Sequence, residues 1–287
     1  MPILNHVKEF NNNGFVIVND VFTNKEVLEI MGALKCNDVE NHFNKNPDGF
    51  GFHLLEITTM HDIFLKYACH PKIMALITPI LGNDIQLQHS KLSVKMPGER
   101  KGEIPWHQDF AFLPHTNTSL LAVMICLVDF TQENGCMKMV MGSHTMGILN
   151  YRDKNGFESA CSDSWAWEDK SKISEVTPRK GGISIHHCMT LHSSNDNITE
   201  IPRYSLAFQY RARNAYQFSD KVWKDTGLVV SGNASGPLDI RLDEMSIPLL
   251  KNSRYPGFPF GSAFNQIGTA VKDNKLVSPF RPKQYDE

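Results

Sequence analysis

The chain has 287 residues, of which 41% are hydrophobic and 21% charged, and its 29 basic and 31 acidic side chains give a formal net charge of −2. This composition is ordinary for a globular protein, and so small a net charge excludes a global attraction to nucleic acid or to an anionic membrane. No apolar run approaches the roughly 18 residues of a membrane span, and residues 1–6 lack the pattern of a secretory signal. The six cysteines form no CxxC pair, which favours reduced thiols and a cytoplasmic location.

The first part of the chain, about 1–83, mixes helix and strand signals. Thr23 and Glu26 have the spacing of a capping box, and Pro71 and Gly82 mark the start and the stop of a helix. In chain order we predict a strand at 14–18, a helix after Thr23, a loop at 36–52, a helix at about 60–69 and a helix from Pro71 to Gly82. None of these elements carries recognisable chemistry, so we expect them to pack against a sheet.

From about residue 84 the pattern changes to short strands and turns. The run at 120–130 is almost continuously apolar and suits a buried central strand. The stretch at 85–95 alternates between two faces, and one of these faces carries His89, Lys91, Ser93 and Lys95. Further strands are predicted at 137–140, 183–185 and 203–213, with a long insert at 146–175. Strands at this spacing indicate a sandwich or a barrel.

The motif at 106–110 is the strongest chemical signal in the chain. On an extended strand, His107 and Asp109 point to the same face, and they supply two of the three ligands of a 2-His-1-carboxylate iron site. Trp106, Gln108 and Phe110 then face the other way and support the site. Because His-x-Asp by itself is more often a surface pair, the metal hypothesis requires a distant histidine and an anchor for an anionic cosubstrate.

Three histidines further along the chain are candidates for the third ligand: His186, His187 and His192. A lone histidine is more often a core residue or a support for a ligand. His192 stands out because Arg203 follows at the head of the next predicted strand, and an arginine fork binds a carboxylate through two hydrogen bonds. Cys188 is a further candidate ligand, although a buried structural thiol is the commoner role.

Several motifs in this order resemble the phytanoyl-CoA dioxygenase family of Fe(II)/2-oxoglutarate oxygenases. They are Trp-His-Gln-Asp at 106–109, Glu-Asn-Gly-Cys at 133–136, Gly-Ser-His at 142–144, His-x-Ser-x-x-Asn at 192–197, and then Arg203. The resemblance implies a mainly β protein with flanking helices and a double-stranded β-helix core, a cupin-like jelly roll. It implies a single domain over 1–287, with a helix-rich part at about 1–83, the core at about 84–215 and a C-terminal extension at about 216–287.

The same resemblance implies the cofactors and the residues that hold them. Fe(II) is expected on His107, Asp109 and His192. The cosubstrate 2-oxoglutarate, which is used together with O2, is expected on Arg203 and Ser194, with Lys91 as a further contact and Lys95 on the same strand face. Halogenating relatives carry a small residue in place of the carboxylate, so the presence of Asp109 argues against halogenation.

These residues predict a 2-oxoglutarate-dependent non-haem iron dioxygenase that acts on an unactivated C–H bond and releases succinate and CO2. Hydroxylation, oxidative cyclisation and desaturation all remain open. The expected substrate is a small, anionic metabolite, recognised by Arg211 or Arg213 with Lys91 or Lys95; alternatively the two arginines lie in solvent. Candidate pocket walls, which could equally be core residues, are Phe110, Phe112, Trp165 and Trp167.

Two other functional classes compete with this interpretation. One is a jelly-roll ligand-binding protein without turnover, which has no need of three metal ligands and an arginine together. The other is a zinc hydrolase that uses the same His/Asp/His donors, which leaves Arg203 and Ser194 without a role. The expected partners are a small-molecule substrate and, at most, a second copy of the chain, as a monomer or homodimer, with no nucleic acid and no membrane.

Overall fold

The computed structural model describes residues 2–44, 52–98, 102–151, 160–218, 222–233 and 239–245. These residues form two antiparallel β-sheets that face each other, with helices on the outer side of the larger sheet. The helices are α1 (Pro2–Asn13), α2 (Asn24–Ala33), α3 (Asn37–Asn44), α4 (Asp62–Ala68), α5 (Pro71–Leu81) and α6 (Asp109–Phe112). The strands are β1 (Phe15–Val18), β2 (Phe52–Leu55), β3 (Ile85–Lys95), β4 (Ile104–His107), β5 (Leu120–Cys126), β6 (Met137–Val140), β7 (Ile173–Val176), β8 (Ile183–His187), β9 (His192–Ser194), β10 (Arg203–Ala212) and β11 (Val229–Ser231).

The predicted helix ends are confirmed where local chemistry defines them. Both halves of the capping box are present at α2: Glu26 N–H donates to Thr23 Oγ1 at 3.3 Å, and Thr23 N–H donates to Glu26 Oε2 at 2.7 Å. Pro71 opens α5 and Gly82 ends it with a φ of 86°, a conformation that favours glycine. The loop predicted at 36–52 is wrong in its first half, where α3 forms, because the fully buried Val39 anchors that segment to the core.

The larger sheet has the strand order β1-β8-β5-β10-β3-β11, with β2 also paired to β3. Its outer face packs on the helices in the main hydrophobic core. On β10 this outer face carries Leu206, Phe208 and Tyr210, all fully buried. Because side chains alternate along a strand, Arg203 and Gln209 on the same strand point to the inner face, towards the second sheet.

The smaller sheet has the order β4-β9-β6-β7, and a second apolar cluster joins it to the inner face of the larger one. Met124 and Ala207 come from the larger sheet, and Met137, Met139 and Val176 from the smaller. This pair of facing antiparallel sheets with flanking helices is the predicted jelly-roll architecture. The cluster fills one part of the space between the sheets, and a cavity occupies another part.

Three strands of the larger sheet come from outside the segment 84–215: β1 and β2 precede it, and β11 follows it and pairs with β3 at Ile85 and Gln86. The proposed division at about 83 and 215 therefore remains a prediction, and most of the C-terminal extension lies outside the described residues. Among those residues, no helix combines the length and the apolar character needed to cross a membrane.

The insert at 146–175 covers the outer side of the smaller sheet. Its described residues Leu149, Tyr151 and Cys161 pack there against Val140 and Leu191, whereas 152–159 lie outside the described residues. The strand predicted over 120–130 is shorter than expected, since β5 ends at Cys126. All six cysteines are free thiols, as their spacing predicted.

Candidate active site

The cavity between the two sheets brings together every residue that the sequence predicted for metal and cosubstrate. Its lining includes Lys91, His107, Asp109, His192, Ser194 and Arg203. These residues come from four strands and one helix, at positions up to 112 apart in the chain. None of the aromatic side chains suggested as walls lines the cavity. Phe110 belongs to a core cluster, Trp167 stacks on Trp106 at 5.7 Å, and Trp165 is exposed. The ring of Phe112 lies 6.1 Å from that of His107, outside the cavity lining.

His107 and Asp109 converge, although not on the regular strand that the sequence predicted. Strand β4 ends at His107, and Asp109 is the first residue of α6. The intervening Gln108 remains extended, with φ −111° and ψ 130°, so the side chains on either side of it still share a face. The separation from His107 Nε2 to Asp109 Oδ1 is 3.7 Å.

His192 completes a group of three ligand atoms that all lie within 4.8 Å of one another. It pairs with His107 across β4 and β9, and its Nε2 lies 3.9 Å from Asp109 Oδ1. The Nδ1 atoms of His107 and His192 lie 2.9 and 2.8 Å from the carbonyl oxygens of Pro105 and Thr190. A carbonyl only accepts, so Nδ1 carries the proton in both rings and each Nε2 presents its lone pair as a possible metal donor.

The second oxygen of Asp109 is held by the larger sheet. Oδ2 accepts a 2.8 Å hydrogen bond from Gln209 Nε2 and lies 3.3 Å from His186 Nε2. Burial would raise the pKa of this carboxyl, but the His186 hydrogen bond and the charges of the neighbouring histidines and Lys91 hold the pKa well below its usual range. Asp109 is therefore ionised, with Oδ1 turned towards the two histidines.

Gln108 fixes the turn between β4 and α6 from behind. Its side-chain nitrogen donates to the carbonyl oxygens of Gly147 and Met189, both at 2.9 Å, and its side-chain oxygen accepts from Leu149 N–H at 2.9 Å. The predicted supporting role matches these contacts. Cys188, considered above as a ligand, is buried and donates from Sγ to Thr118 O at 3.4 Å; it lies outside the three-atom group, as a structural thiol does.

Arg203 lies at the other end of the cavity, with only 1% of its surface exposed. Its guanidinium stacks 4.6 Å from the Phe130 ring centroid, and Nη1 donates to the carbonyl oxygen of Gly135. Two polar atoms here are buried without a hydrogen-bond partner among the described residues: Arg203 Nε and Ser194 Oγ. Burial lowers the pKa of Arg203 to about 10, so the side chain is charged at neutral pH and can bind a carboxylate.

Two of the motifs that carried the family resemblance now have structural roles beside this arginine. Gly135 has a φ of 74°, and a Cβ there would collide with the Asn195 carbonyl oxygen, so only glycine lets the turn approach closely enough to accept from Arg203. Asn197 donates to the carbonyl oxygens of Lys95 and Ile201, at 3.1 and 2.8 Å. It thereby fixes the loop that connects β9 to β10.

The two lysines on the inner face of β3 have different environments. Lys95 is buried, and its Nζ donates to the carbonyl oxygens of Gly102, at 2.7 Å, and Asn195. Lys91 is half-buried and lines the cavity. Both side chains lie on the predicted face, but only Lys91 presents its charge to the cavity.

Neither Arg211 nor Arg213 lines the cavity. The pairing of β10 with β5 continues without a register shift to Arg211, so Arg211 shares the inner face with Gln209 but lies beyond the end of the cavity. Arg211 Nε donates to Gln86 Oε1 at 3.2 Å, and Nη1 lies 3.5 Å from His115 Nε2. The prediction that these arginines recognise the substrate therefore receives no support from the cavity, and Arg211 is half-buried rather than fully solvated.

His115 is fully buried beside Arg211 and gives a prediction about pH. Burial first, and then the charge of Arg211, lower the pKa of His115 from 6.5 to about 3. Because the pKa of His115 is lower in the folded chain than in the unfolded chain, the unfolded chain binds a proton at pH values between the two pKa values and the folded chain does not. Stability is therefore complete above pH 6.5 and falls as the pH drops, by about 2 kcal/mol between pH 7 and pH 5.

Urea unfolding at a series of pH values measures this effect. His115→Gln removes the titrating group and should flatten the decline by about 2 kcal/mol over that range, whatever its own stability at pH 7. His61→Gln, an exposed histidine at a helix end, is the matched control and should keep the wild-type slope. Equal slopes for wild type and His115→Gln would show that His115 is not the group responsible.

Sequence reasoning left several cavity residues without a role. His186 was one of three candidate ligands, of which His192 was chosen, and it contacts the carboxylate rather than completing the metal group. Gln209 could have been found, because it shares the β10 face with Arg203. His53 and His89 also line the cavity. His53 reaches it because β2 pairs with β3, and the local sequence does not predict this pairing.

The donor set fits iron. Two neutral imidazoles and one ionised carboxylate on one side of the metal position form the facial arrangement that suits non-haem Fe(II) and leaves other coordination positions open. At the far end, the unsatisfied Arg203 Nε and Ser194 Oγ fit the distal carboxylate of 2-oxoglutarate. The fold and the site thus define a non-haem iron dioxygenase that uses Fe(II), 2-oxoglutarate and O2.

Comparison with known proteins identifies the family. The family model described as phytanoyl-CoA dioxygenase (PhyH) matches residues 10–205, and the chain belongs to this family. It is 28% identical over 226 residues to a probable alpha-ketoglutarate-dependent hypophosphite dioxygenase of Stutzerimonas stutzeri, covering 73% of this chain and 78% of that protein. It is 25% identical to the ectoine dioxygenase of Stutzerimonas stutzeri strain A1501, covering 82% and 86% of the two chains.

Solved structures agree on the fold. The non-heme monooxygenase ThoJ, in its apo form, superposes with a TM-score of 0.67 at 22% identity, over 83% of this chain and 88% of that one. EctD from S. alaskensis, also in its apo form, superposes with a TM-score of 0.59 at 20% identity, over 83% and 86% of the two chains. At these sequence identities the likeness shows the fold alone, and it supports the jelly-roll assignment.

Proposed function

We propose that this enzyme oxidises an unactivated C–H bond of a small, anionic metabolite, by hydroxylation or by oxidative cyclisation or desaturation, and releases succinate and CO2. In this proposal His107, Asp109 and His192 hold the iron, while Arg203 and Ser194 hold the distal carboxylate of 2-oxoglutarate. The observation that carries it is the pairing, in one cavity, of a three-donor metal group with a buried arginine whose Nε has no partner in the part of the chain that the structure describes.

The bound iron supplies the oxidising chemistry, and the chain supplies position and shielding. Gln209 and His186 hold Oδ2 of Asp109, which leaves Oδ1 for the metal. The carbonyl oxygens of Pro105 and Thr190 fix the two ligand histidines in the tautomer that carries its proton on Nδ1. The apolar Met124, Met137 and Ala207 form the remaining wall between the two ends of the cavity and exclude water from it.

The relatives support a small, polar substrate. By their names, one acts on hypophosphite and another on ectoine, and neither is a lipid. A cavity that carries Lys91 and Arg203 but only one carboxylate, Asp109, favours an anion over an apolar molecule. The contact between Lys91 and 2-oxoglutarate, the cytoplasmic location and the monomer or homodimer state stay predictions.

Succinate formation and oxygen uptake by the iron-loaded protein test the proposal. We expect 2-oxoglutarate decarboxylation with Fe(II), stimulated by a small-molecule extract that contains the substrate, and none with Zn(II). Anaerobic addition of 2-oxoglutarate to the Fe(II) protein should also produce the visible charge-transfer absorption of a chelated keto acid. Neither absorption nor succinate under any condition would favour the binding-protein reading, and hydrolysis with Zn(II) would favour the hydrolase.

A further inference from the structure

The cavity contains a second cationic group in addition to Arg203, the ammonium of Lys91 in the middle of β3. Lys91 pairs with Ala207 of β10, and the pair His89–Gln209 lies two residues away towards the metal end. The pair Lys95–Arg203 lies four residues away in the other direction. At about 3.3 Å per residue, Lys91 lies roughly 7 Å along the strand from His89 and Gln209, of which Gln209 donates to Asp109. It lies roughly 13 Å along the strand from Lys95 and Arg203.

The backbone of Lys91 is paired with β2 and β10, but its ammonium makes no hydrogen bond and no ion pair with any other residue that the structure describes. Lys95, on the same face of the same strand, is satisfied by two carbonyl oxygens. Burial lowers the pKa of Lys91, and the nearby charge of Asp109 only partly offsets this effect. Placing a partly buried ammonium without a partner is unfavourable, so the position of Lys91 is not explained by stability.

The charges in the loaded cavity do not balance without another anion. Fe(II) and the 2-oxoglutarate dianion cancel each other, and Asp109 compensates one of the two cationic side chains. His53, close by on β2, contributes no charge, because burial and the charge of Lys91 keep its pKa well below the usual value. One positive charge remains in a water-poor space, where an opposite charge is strongly favoured.

We propose that Lys91 binds the oxyanion group of the prime substrate, which is a small phosphorus oxyanion or carboxylate, rather than 2-oxoglutarate. This inference rests on the proposed function and names the substrate class of the same site. Arg203 has the planar fork that suits a carboxylate tail, whereas a lysine ammonium is a compact point charge that accepts any oxyanion geometry. Because Lys91 lies only two residues along β3 from the pair His89–Gln209, an anion bound to its ammonium lies beside the metal group.

Anion binding can be measured without turnover. The Co(II) protein with saturating 2-oxoglutarate is titrated with hypophosphite or methylphosphonate and followed by paramagnetic broadening of the ³¹P resonance, and with acetate followed by the ¹H resonance. The three anions distinguish a phosphorus oxyanion from a carboxylate. We expect saturable broadening for at least one anion, and Lys91→Met, which keeps the aliphatic stem, should weaken its binding by about tenfold to a hundredfold.

Two controls separate this role from others. Arg211→Gln removes a positive charge outside the cavity and should leave anion binding unchanged. The affinity for 2-oxoglutarate, read from the charge-transfer absorption of the Fe(II) protein without oxygen, should fall by a much smaller factor in Lys91→Met than the anion affinity does. The apo form of Lys91→Met should melt no lower than wild type, because the substitution removes an unpaired charge; a marked loss of stability would instead indicate a structural lysine.

The outcomes distinguish failure of this inference from failure of the proposed function. Absence of the charge-transfer absorption in wild type would contradict the proposed function itself. Normal absorption with no broadening by any of the three anions would overturn only the assignment of Lys91. Normal anion binding in Lys91→Met together with weakened 2-oxoglutarate binding would also overturn this assignment. It would indicate that Lys91 binds 2-oxoglutarate instead.

Discussion

Replacing Asp109 with alanine is expected to lower 2-oxoglutarate turnover by roughly 10³-fold or more, equivalent to about 4 kcal/mol of lost transition-state stabilisation. Asp109 is the only carboxylate in the three-donor group, and its Oδ1 lies within 3.9 Å of both histidine Nε2 atoms. Without it two neutral imidazoles remain, so the iron loses its anionic ligand and its affinity falls. Isothermal titration with Fe(II) under argon and the rate of succinate formation measure the two effects separately.

Gln209→Ala provides the graded comparison for this experiment. It removes the 2.8 Å hydrogen bond to Oδ2 but leaves Oδ1 in place, and loss of such a support typically costs 10- to 100-fold in metal affinity or activity. The Fe(II) affinity and the rate of succinate formation should therefore both be highest in wild type, lower in Gln209→Ala and lowest in Asp109→Ala. Wild-type turnover in a folded Asp109→Ala protein, as judged by circular dichroism, would contradict the metal-ligand assignment.

Side-chain alternation explains why so much of the site was readable from the sequence. On β3 and β10 the period of two correctly placed Lys91 and Arg203 on the face opposite the fully buried Leu92 and Phe208. The period is a local property of extended backbone, so the face of a side chain can be predicted without knowing the neighbouring strands. The prediction that His107 and Asp109 share a face is correct although the strand ends at His107, because the intervening Gln108 is also extended.

The failures have a different physical origin. The helix α3 and the position along β10 at which the cavity ends, before Arg211, depend on tertiary packing, which the local sequence does not encode. The same is true of His53, which enters the cavity only because β2 joins the edge of β3. Tertiary contacts override local preference in each case, and residues such as these are found only once the sheet order is known.

Replacing Arg203 with alanine is expected to raise the 2-oxoglutarate concentration needed for half-maximal turnover far more than it lowers the rate at saturation. Truncating one partner of a buried, hydrogen-bonded charge pair costs about 2–5 kcal/mol, or roughly 30-fold to several thousand-fold in affinity. The arginine lies at the end of the cavity opposite the metal group, so its loss leaves the iron ligands intact. Initial rates across a range of 2-oxoglutarate concentrations give the two constants.

Arg203 also stabilises its surroundings, because it donates to Gly135 O and stacks on Phe130, so the alanine variant needs a companion. Arg203→Lys keeps the positive charge and loses the planar fork; it should raise the same constant by an intermediate factor, about tenfold. The control variant Arg211→Gln should leave the 2-oxoglutarate concentration needed for half-maximal turnover unchanged. If folded Arg203→Lys and Arg203→Ala both show the wild-type requirement, the anchor for 2-oxoglutarate lies elsewhere, and Lys91 becomes the remaining cationic candidate in the cavity as the structure describes it.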